Sequence, residues 1–179
     1  MKETKTAIFA GGCFWCMVKP FDEQPGIRGI VSGYTGGTEE DAVYERVKTG
    51  TTNHREAVEI VYEPDVFPYE KLLELYWQQV DPTDDGGQFF DRGPQYRTAV
   101  FYQDEEQRQL AAASREALDK NGPFHEPVVT EILPARPFYP AEEHHQKFYK
   151  KNPDAYQKER EESGREDFLK HTWQEKSYE

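Results

Sequence analysis

The chain has 179 residues and a formal net charge of −12 at pH 7, and this length is typical of a single domain. The acidic balance disfavours nucleic-acid binding, and no run of about 18 apolar residues is present that could span a membrane. The apolar segment at residues 7–10 is too short for a signal peptide, and two cysteines are too few for a secreted disulfide scaffold. We therefore expect a cytoplasmic protein that binds neither membranes nor nucleic acids.

The first half of the chain consists of short apolar segments separated by glycines and prolines. Alternation of apolar and polar residues indicates strands, and apolar residues three or four positions apart indicate a helix. The predicted elements are a strand at 6–10 ended by Gly11-Gly12, a short helix at about 13–21, a strand at 27–34 ended by Gly36-Gly37, a strand at 56–62, and a helix at 69–80 with Pro68 in its first turn.

The second half begins with a polar stretch at residues 81–96, which we expect to form a long functional or mobile loop. A strand at 97–103 and a helix that Asp104 caps and Gly122 ends are expected next. The remaining predicted elements are a strand at 128–133, a helix that Pro140 opens and that continues to about residue 151, and a charged tail at 154–179 that is helical or loosely ordered.

The order of these elements predicts an α+β fold. The first six, β-α-β followed by β-α-β, match the split βαβ plan, in which helices cover one face of a sheet. We expect a two-layer sandwich with a mixed sheet, a ferredoxin-like core and a C-terminal extension. Residues 1–153 are predicted to form one catalytic domain, followed by the tail at 154–179.

Reactive chemistry is concentrated in the segment Gly11-Gly12-Cys13-Phe14-Trp15-Cys16. The glycines allow a tight turn and the close approach of another molecule to the backbone. A cysteine at the start of a helix is favoured as a thiolate, the nucleophilic form, by the free N–H groups there. We therefore interpret Cys13 as a nucleophile, in preference to a buried structural cysteine.

The spacing of Cys13 and Cys16 permits a disulfide after a small adjustment of the first helical turn. So short a loop adds little stability, which favours a reversible redox role over a structural one. A zinc half-site is disfavoured because no second C-x-x-C is present and His144 and His145 are adjacent. Phe14 and Trp15 fit a core or the lining of a small apolar pocket equally well.

Five sequence blocks extend this motif along residues 6–153. They are Gly-Cys-Phe-Trp at 12–15, Gly-Tyr-Thr-Gly-Gly at 33–37, Tyr44 with His54-Arg55-Glu56, Asp-Arg-Gly-Pro-Gln-Tyr-Arg at 91–97, and Phe138-Tyr139-Pro140-Ala141-Glu142 with His145-Gln146. In this order the blocks resemble those of the A-type peptide methionine sulfoxide reductases.

Three positions depart from that family's pattern. Cys16 and Asn53 stand where the family usually has glycine, and His144 stands where it usually has tyrosine. Many members carry further cysteines in a C-terminal tail, whereas residues 17–179 here contain none. An oxidised Cys13 must therefore be resolved by Cys16 or by an outside thiol.

The resemblance implies a substrate, the S epimer of methionine sulfoxide, either free or in an oxidised protein that is repaired. Cys13 would attack the sulfoxide sulfur, and Glu56 would act as the general acid in a desolvated pocket that raises its pKa. Tyr44 and Tyr96 would donate hydrogen bonds to the sulfoxide oxygen, and Asp91 would organise the site. Phe14 and Trp15 would hold the terminal methyl group.

The resemblance also implies how the enzyme is recycled. Cys16 would condense with a Cys13 sulfenic acid to form a disulfide, which thioredoxin would reduce, without a metal, flavin or nicotinamide. Taken alone, Glu56 is typical of a solvated strand residue, and Tyr44 and Tyr96 are typical of a core. A general thiol–disulfide oxidoreductase and a non-catalytic acidic binding module therefore remain as alternatives.

Overall fold

A six-stranded mixed sheet forms the centre of the computed structural model, which describes residues 3–177. Positions 1 and 2 of the predicted domain and positions 178 and 179 of the predicted tail lie outside the described residues. The strands are β1 (Lys5–Ala10), β2 (Ile27–Thr35), β3 (Arg55–Tyr62), β4 (Gly87–Gln88), β5 (Asp91–Arg92), β6 (Ala99–Tyr102), β7 (Glu131–Pro134) and β8 (Phe138–Pro140). The helices are α1 (Lys19–Asp22), α2 (Tyr44–Val47), α3 (Tyr69–Trp77), α4 (Glu105–Asn121), α5 (Phe148–Lys151), α6 (Pro153–Glu162) and α7 (Arg165–Ser177).

The strand order in the sheet is β7-β6-β1-β3-β2-β8. Strands β6 and β7 are parallel, and the other neighbouring pairs are antiparallel. The predicted α+β fold with a mixed sheet is therefore confirmed. Both edge strands, β7 and β8, end in a proline.

The two faces of the sheet bury different sets of side chains, because successive residues of a strand point to opposite sides. Ala7 and Phe9 of β1 belong to the main core, to which α1, α3 and α4 contribute Phe21, Leu72, Tyr76, Ala111 and Leu118 among others. Ile8 and Ala10 belong to a smaller cluster on the opposite face, with Ala57, Ala99 and Phe101. Helices α1, α3 and α4 cover the main core, and Phe9, near the end of β1, lies beneath them.

The predicted helix at 13–21 is divided into two parts. A 3₁₀ turn over Phe14–Met17 is followed by α1, in which Pro20 lies in the first turn. Proline has no N–H group, so it cannot continue an α-helical ladder from the preceding turn. By contrast, α4 begins as predicted, with the Asp104 side chain accepting a hydrogen bond from the backbone N–H of Gln107 at 2.8 Å.

Residues 140–151 do not form the predicted helix. Phe138–Pro140 is an edge strand instead, with Tyr139 opposite Tyr34 of β2, and a 3₁₀ turn over Glu143–His145 precedes α5. Proline is tolerated at an edge because its missing N–H removes no ladder hydrogen bond. The motif residues of this segment consequently lie beside β2.

The predicted loop at 81–96 is partly ordered. Strands β4 and β5 form a two-stranded hairpin, and a 3₁₀ turn over Pro94–Tyr96 follows it. Phe89 in the hairpin turn has a left-handed φ of 55°. The hairpin places Asp91 in a defined position rather than in a mobile loop.

The C-terminal segment is helical over α6 and α7, and it packs on the rest of the chain through Tyr156, Arg165 and Leu169, which are buried. Within residues 3–177, no helix is both long enough and apolar enough to cross a bilayer.

Candidate active site

The reactive segment follows β1 through two glycines that leave no room for a side chain. A Cβ atom on Gly11 would lie 2.6 Å from the sulfur of Met17, and Gly12 has a left-handed φ of 86°. A Cβ atom on Gly12 would lie 2.6 Å from Gln88 and 2.8 Å from a guanidinium nitrogen of Arg165. The turn therefore brings the chain into close contact with the hairpin and with α7.

Cys13 caps a four-residue 3₁₀ turn rather than a long helix, and its carbonyl accepts a hydrogen bond from the N–H of Cys16 at 3.1 Å. The expected thiolate at a helix N-terminus is not found. A side-chain hydrogen bond to Cys16, burial and the carboxylates of Glu56 and Asp91 raise the pKa of the Cys13 thiol well above its ordinary value. Cys13 therefore holds its proton at neutral pH.

Cys16 has the opposite electrostatic environment. Its hydrogen bond with Cys13 and the positive charges of Arg165 and Arg160 lower its pKa to about 7, although burial opposes the shift. The side chains of Cys13 and Cys16 are therefore in hydrogen-bond contact. Both cysteines are free thiols.

Glu56 lies on β3, directly opposite Tyr34 of β2, and its side chain is 2% exposed. Its Oε1 atom accepts a hydrogen bond from the backbone N–H of Phe14 at 3.1 Å, which joins β3 to the reactive segment. Burial raises the pKa of Glu56 to about 8, and the nearby Asp91 carboxylate acts in the same direction. The carboxyl group is consequently protonated at neutral pH.

Tyr44, Tyr96 and Asp91 come from α2, the 3₁₀ turn at 94–96 and β5. Burial raises the pKa of both phenols, and the charges of Glu56, Cys13 and Asp91 raise it further. The pKa of Asp91 is also raised by burial. The predicted polar residues are thus brought together around Cys13, although they lie up to 83 positions apart in the chain, from Cys13 to Tyr96.

The two aromatic residues of the motif have different environments. Phe14 is buried, and its ring lies 5.7 Å from Tyr34 and 5.2 Å from His145. Trp15 is half-buried and stacks on Phe148 with 3.8 Å between ring centroids. The indole N–H of Trp15 donates a hydrogen bond to Nδ1 of His145 at 3.0 Å.

Several residues that hold the site in place received no role from the sequence. Glu142 accepts hydrogen bonds from the Tyr34 hydroxyl at 2.7 Å and from the backbone N–H of Tyr44 at 3.0 Å. Because Glu142 and His145 belong to the last sequence block, that block was the available signal for them. Their function in the fold depends on contacts with residues about 100 positions away.

His54 shapes the turn after β2. Its Nδ1 atom accepts a hydrogen bond from the N–H of Gly37 at 3.1 Å, and its Nε2 atom contacts the carbonyl of Thr38 at 2.7 Å. The preceding Asn53 has a left-handed φ of 67°, a conformation that favours glycine and that asparagine tolerates. This left-handed conformation explains why the family that the sequence resembles usually has glycine at the position of Asn53.

A family match over nearly the whole chain accompanies this arrangement of two neighbouring thiols, a protonated carboxyl and two phenols. The family described as peptide methionine sulfoxide reductase matches residues 5–177. The chain belongs to this family. It is therefore an enzyme that reduces methionine sulfoxide in peptides.

Relatives of this reductase support the same family. The peptide methionine sulfoxide reductase MsrA of Halalkalibacterium halodurans is 65% identical over 172 residues, which cover 96% of this chain and 98% of that protein. The reduced form of Mxr1 from Saccharomyces cerevisiae aligns with a TM-score of 0.80 and 29% identity over 85% of this chain and 87% of that one. The structure of Mxr1 in complex with Trx2 aligns with a TM-score of 0.58 and 21% identity over 80% and 84% of the two chains.

Proposed function

We propose that this reductase acts on the S epimer of methionine sulfoxide, free or in an oxidised protein, with Cys13 as the nucleophile and Glu56 as the general acid. The observation that carries the proposal is the buried Glu56 carboxyl, whose pKa of about 8 keeps it protonated beside Cys13. The sulfoxide oxygen is a poor leaving group until it gains a proton. A carboxyl held protonated at neutral pH supplies that proton.

Cys13 must lose its proton before it attacks. Cys13 is only partly buried, so its proton passes to solvent water. The Cys13 sulfur then attacks the sulfoxide sulfur while Glu56 protonates the oxygen. One oxygen atom passes to Cys13, which is oxidised to a sulfenic acid, and methionine leaves reduced.

The substrate is held by groups of two kinds. Tyr44 and Tyr96 stay protonated at neutral pH because their pKa values are raised, so both hydroxyls can donate hydrogen bonds to the sulfoxide oxygen. The half-buried Trp15 and its neighbour Phe14 hold the terminal methyl group. Asp91 organises the site from the hairpin.

Cys16 resolves the sulfenic acid. Its contact with Cys13 supports disulfide formation with the release of water, and no other cysteine is present in the chain. Thioredoxin reduces the disulfide by thiol exchange, and the complex of yeast Mxr1 with Trx2 supports a partner of this kind. We place the reaction in the cytoplasm, where thiols are kept reduced.

The positions of the site residues support a division of the chain into a catalytic domain and a C-terminal extension. We propose residues 1–153 as the catalytic domain, since Cys13, Glu56 and Tyr96 lie within it, and residues 154–179 as a C-terminal extension. We also propose a ferredoxin-like core. The order β6-β1-β3-β2, with antiparallel pairs throughout, supports this assignment.

The decisive experiment incubates the enzyme with dithiothreitol and each epimer of methionine sulfoxide and quantifies methionine. The S epimer is expected to give methionine and the R epimer none, and Cys13→Ser is expected to reduce the rate to background because an alcohol is a much weaker nucleophile. A general thiol–disulfide oxidoreductase would reduce a disulfide substrate and form no methionine. Turnover by Cys13→Ser above about a tenth of the parent rate would remove Cys13 from the role of nucleophile.

A further inference from the structure

A buried arginine of the C-terminal extension lies directly behind the reactive segment. Arg165 begins α7 and is 2% exposed, although arginine is rarely buried to this extent. One guanidinium nitrogen donates a hydrogen bond to the carbonyl of Gln79 at 2.6 Å, and the other donates to the carbonyl of Gly11 at 3.0 Å. Arg165 therefore fixes the backbone two residues before Cys13.

The hydrogen-bond partners of Arg165 carry no compensating charge, because both are neutral carbonyl groups. A buried charge is costly unless an opposite charge or a polar environment stabilises it. The guanidinium group also lies 4.8 Å from the centroid of Phe89, in the hairpin that carries Asp91. A cation held in this position favours negative charge on the groups around it.

Arg165 acts on several groups that can become anions, among them Glu159, Tyr156 and Tyr76, and two others belong to the proposed chemistry. Arg165 acts on Cys16 and on Asp91, in each case toward the ionised form. Arg160 of α6 reinforces the effect on Cys16, and its buried Nη1 atom has no hydrogen-bond partner among the described residues. The extension thus supplies two positive charges that favour the Cys16 thiolate, and one carboxylate, Glu159, that opposes it.

We propose that Arg165 is a positioning residue for the resolution step, which holds the Gly11 carbonyl in place and stabilises Cys16 as a thiolate beside the oxidised Cys13. This inference rests on the proposed role of Cys16. The Cys16 thiolate attacks the Cys13 sulfur of the sulfenic acid, the S–S bond forms and the S–O bond breaks. The oxygen leaves as water after taking a proton from solvent.

The pH dependence of this step reflects every charged group that acts on Cys16. Arg165 and Arg160 favour its thiolate, whereas burial opposes it. Cys16 also interacts with Cys13, through their hydrogen bond, and with Glu159 of α6, Glu56 of β3 and Tyr156 of α6.

The first test measures Cys16 alone and needs no turnover. In a Cys13→Ser background Cys16 is the single cysteine, so the ultraviolet absorbance of its thiolate can be followed between about pH 5 and pH 9. Arg165→Met is expected to raise the midpoint by about one pH unit or more, and Arg165→Lys is expected to keep most of the shift. Lys158→Met removes one exposed positive charge from α6 and is the matched control, which should leave the midpoint unchanged.

If Arg165→Met does not fold, Arg160→Met tests the same electrostatic effect on Cys16, because Arg160 is half-buried nearby. It is expected to raise the midpoint of the Cys16 titration by a smaller amount. A midpoint that neither Arg165→Met nor Arg160→Met moves would overturn the proposal. Because this readout requires no substrate, it is independent of whether the enzyme reduces a sulfoxide.

The second test separates the two chemical steps in a single turnover without reductant. Methionine formation reports attack by Cys13, and the loss of two hydrogen masses reports the disulfide. In Arg165→Met, disulfide formation at pH 7 is expected to slow about fivefold, as the thiolate fraction falls, and methionine formation to slow less. An equal slowing of both steps would indicate a merely structural role for Arg165, whereas the absence of methionine from the parent enzyme would contradict the proposed function itself.

Discussion

The backbone N–H of Phe14 donates a hydrogen bond to the Glu56 carboxyl at 3.1 Å, across 42 positions of sequence. This contact fixes the proposed acid of β3 directly beside the proposed nucleophile, because Phe14 is the residue after Cys13. It also stabilises the ionised carboxyl, but burial is the larger effect and the pKa of Glu56 is raised overall to about 8.

Replacing the acid should reveal its protonation state. Glu56→Gln keeps the hydrogen-bond acceptor for Phe14 but cannot supply an acidic proton, so methionine formation is expected to slow by roughly 10²–10⁴ at pH 7. The gap between parent and variant should narrow above about pH 8, where the parent carboxyl itself loses its proton. Single-turnover rates between pH 6 and pH 9 measure this.

Glu59→Gln is the matched control, since it makes the same change three residues along β3. Its rate should equal that of the parent at each pH. Parent-like rates for Glu56→Gln across the same range would exclude Glu56 as the acid.

The same carboxyl should make stability depend on pH. The pKa of Glu56 rises on folding from its ordinary value of 4.5 to about 8, so between these values the folded chain binds the proton more tightly than the unfolded chain does. Its contribution to the free energy of unfolding is therefore greatest at low pH and is lost as pH rises toward 8. Glu56→Gln should become progressively more stable than the parent across this range, which urea unfolding at several pH values would measure; a constant difference would contradict the raised pKa.

Cys16→Ser should separate reduction from recycling. Attack by Cys13 precedes disulfide formation, so about one methionine per enzyme is expected in a single turnover without reductant. Turnover with thioredoxin should fall sharply, because thioredoxin attacks a disulfide, whereas turnover with dithiothreitol should fall less. If thioredoxin-dependent turnover is undiminished, thioredoxin reduces the sulfenic acid directly and Cys16 has no resolving role.

The stack of Trp15 on Phe148 should matter for substrate affinity more than for rate. Phe148→Ala removes a contact worth about 0.5–1.5 kcal/mol and frees the indole, so KM for methionine sulfoxide should rise about two- to tenfold with kcat little changed. Phe148→Tyr keeps the ring and should leave both constants near the parent values. A fall in kcat alone would argue against Trp15 as the residue that holds the methyl group.

Local patterns in the sequence predicted those elements whose structure depends on near neighbours. The cap of α4 by Asp104 and the alternation in β3 were correct because capping and strand burial act over a few residues. Pro140 was misassigned to a helix because its actual role, at the end of an edge strand against β2, depends on pairing with residues more than 100 positions away.

The protonation state of Cys13 also depends on residues that are distant in the sequence. Sequence placed Cys13 at a helix terminus and predicted a thiolate, but its pKa is raised by Cys16, by burial and by carboxylates from β3 and β5. The sequence also did not indicate a role for Arg165, because an arginine in a charged tail is typically solvated. Its burial depends on the packing of α7 against Gly11.

Prolines at the ends of both edge strands have a consequence for an enzyme that handles damaged polypeptides. Pro134 terminates one edge of the sheet and Pro140 the other, and neither offers an N–H group to an incoming chain. Oxidised, partly unfolded proteins expose segments that add readily to an open sheet edge and start aggregation. Each edge strand of this enzyme therefore ends with one N–H group fewer with which such a segment could pair.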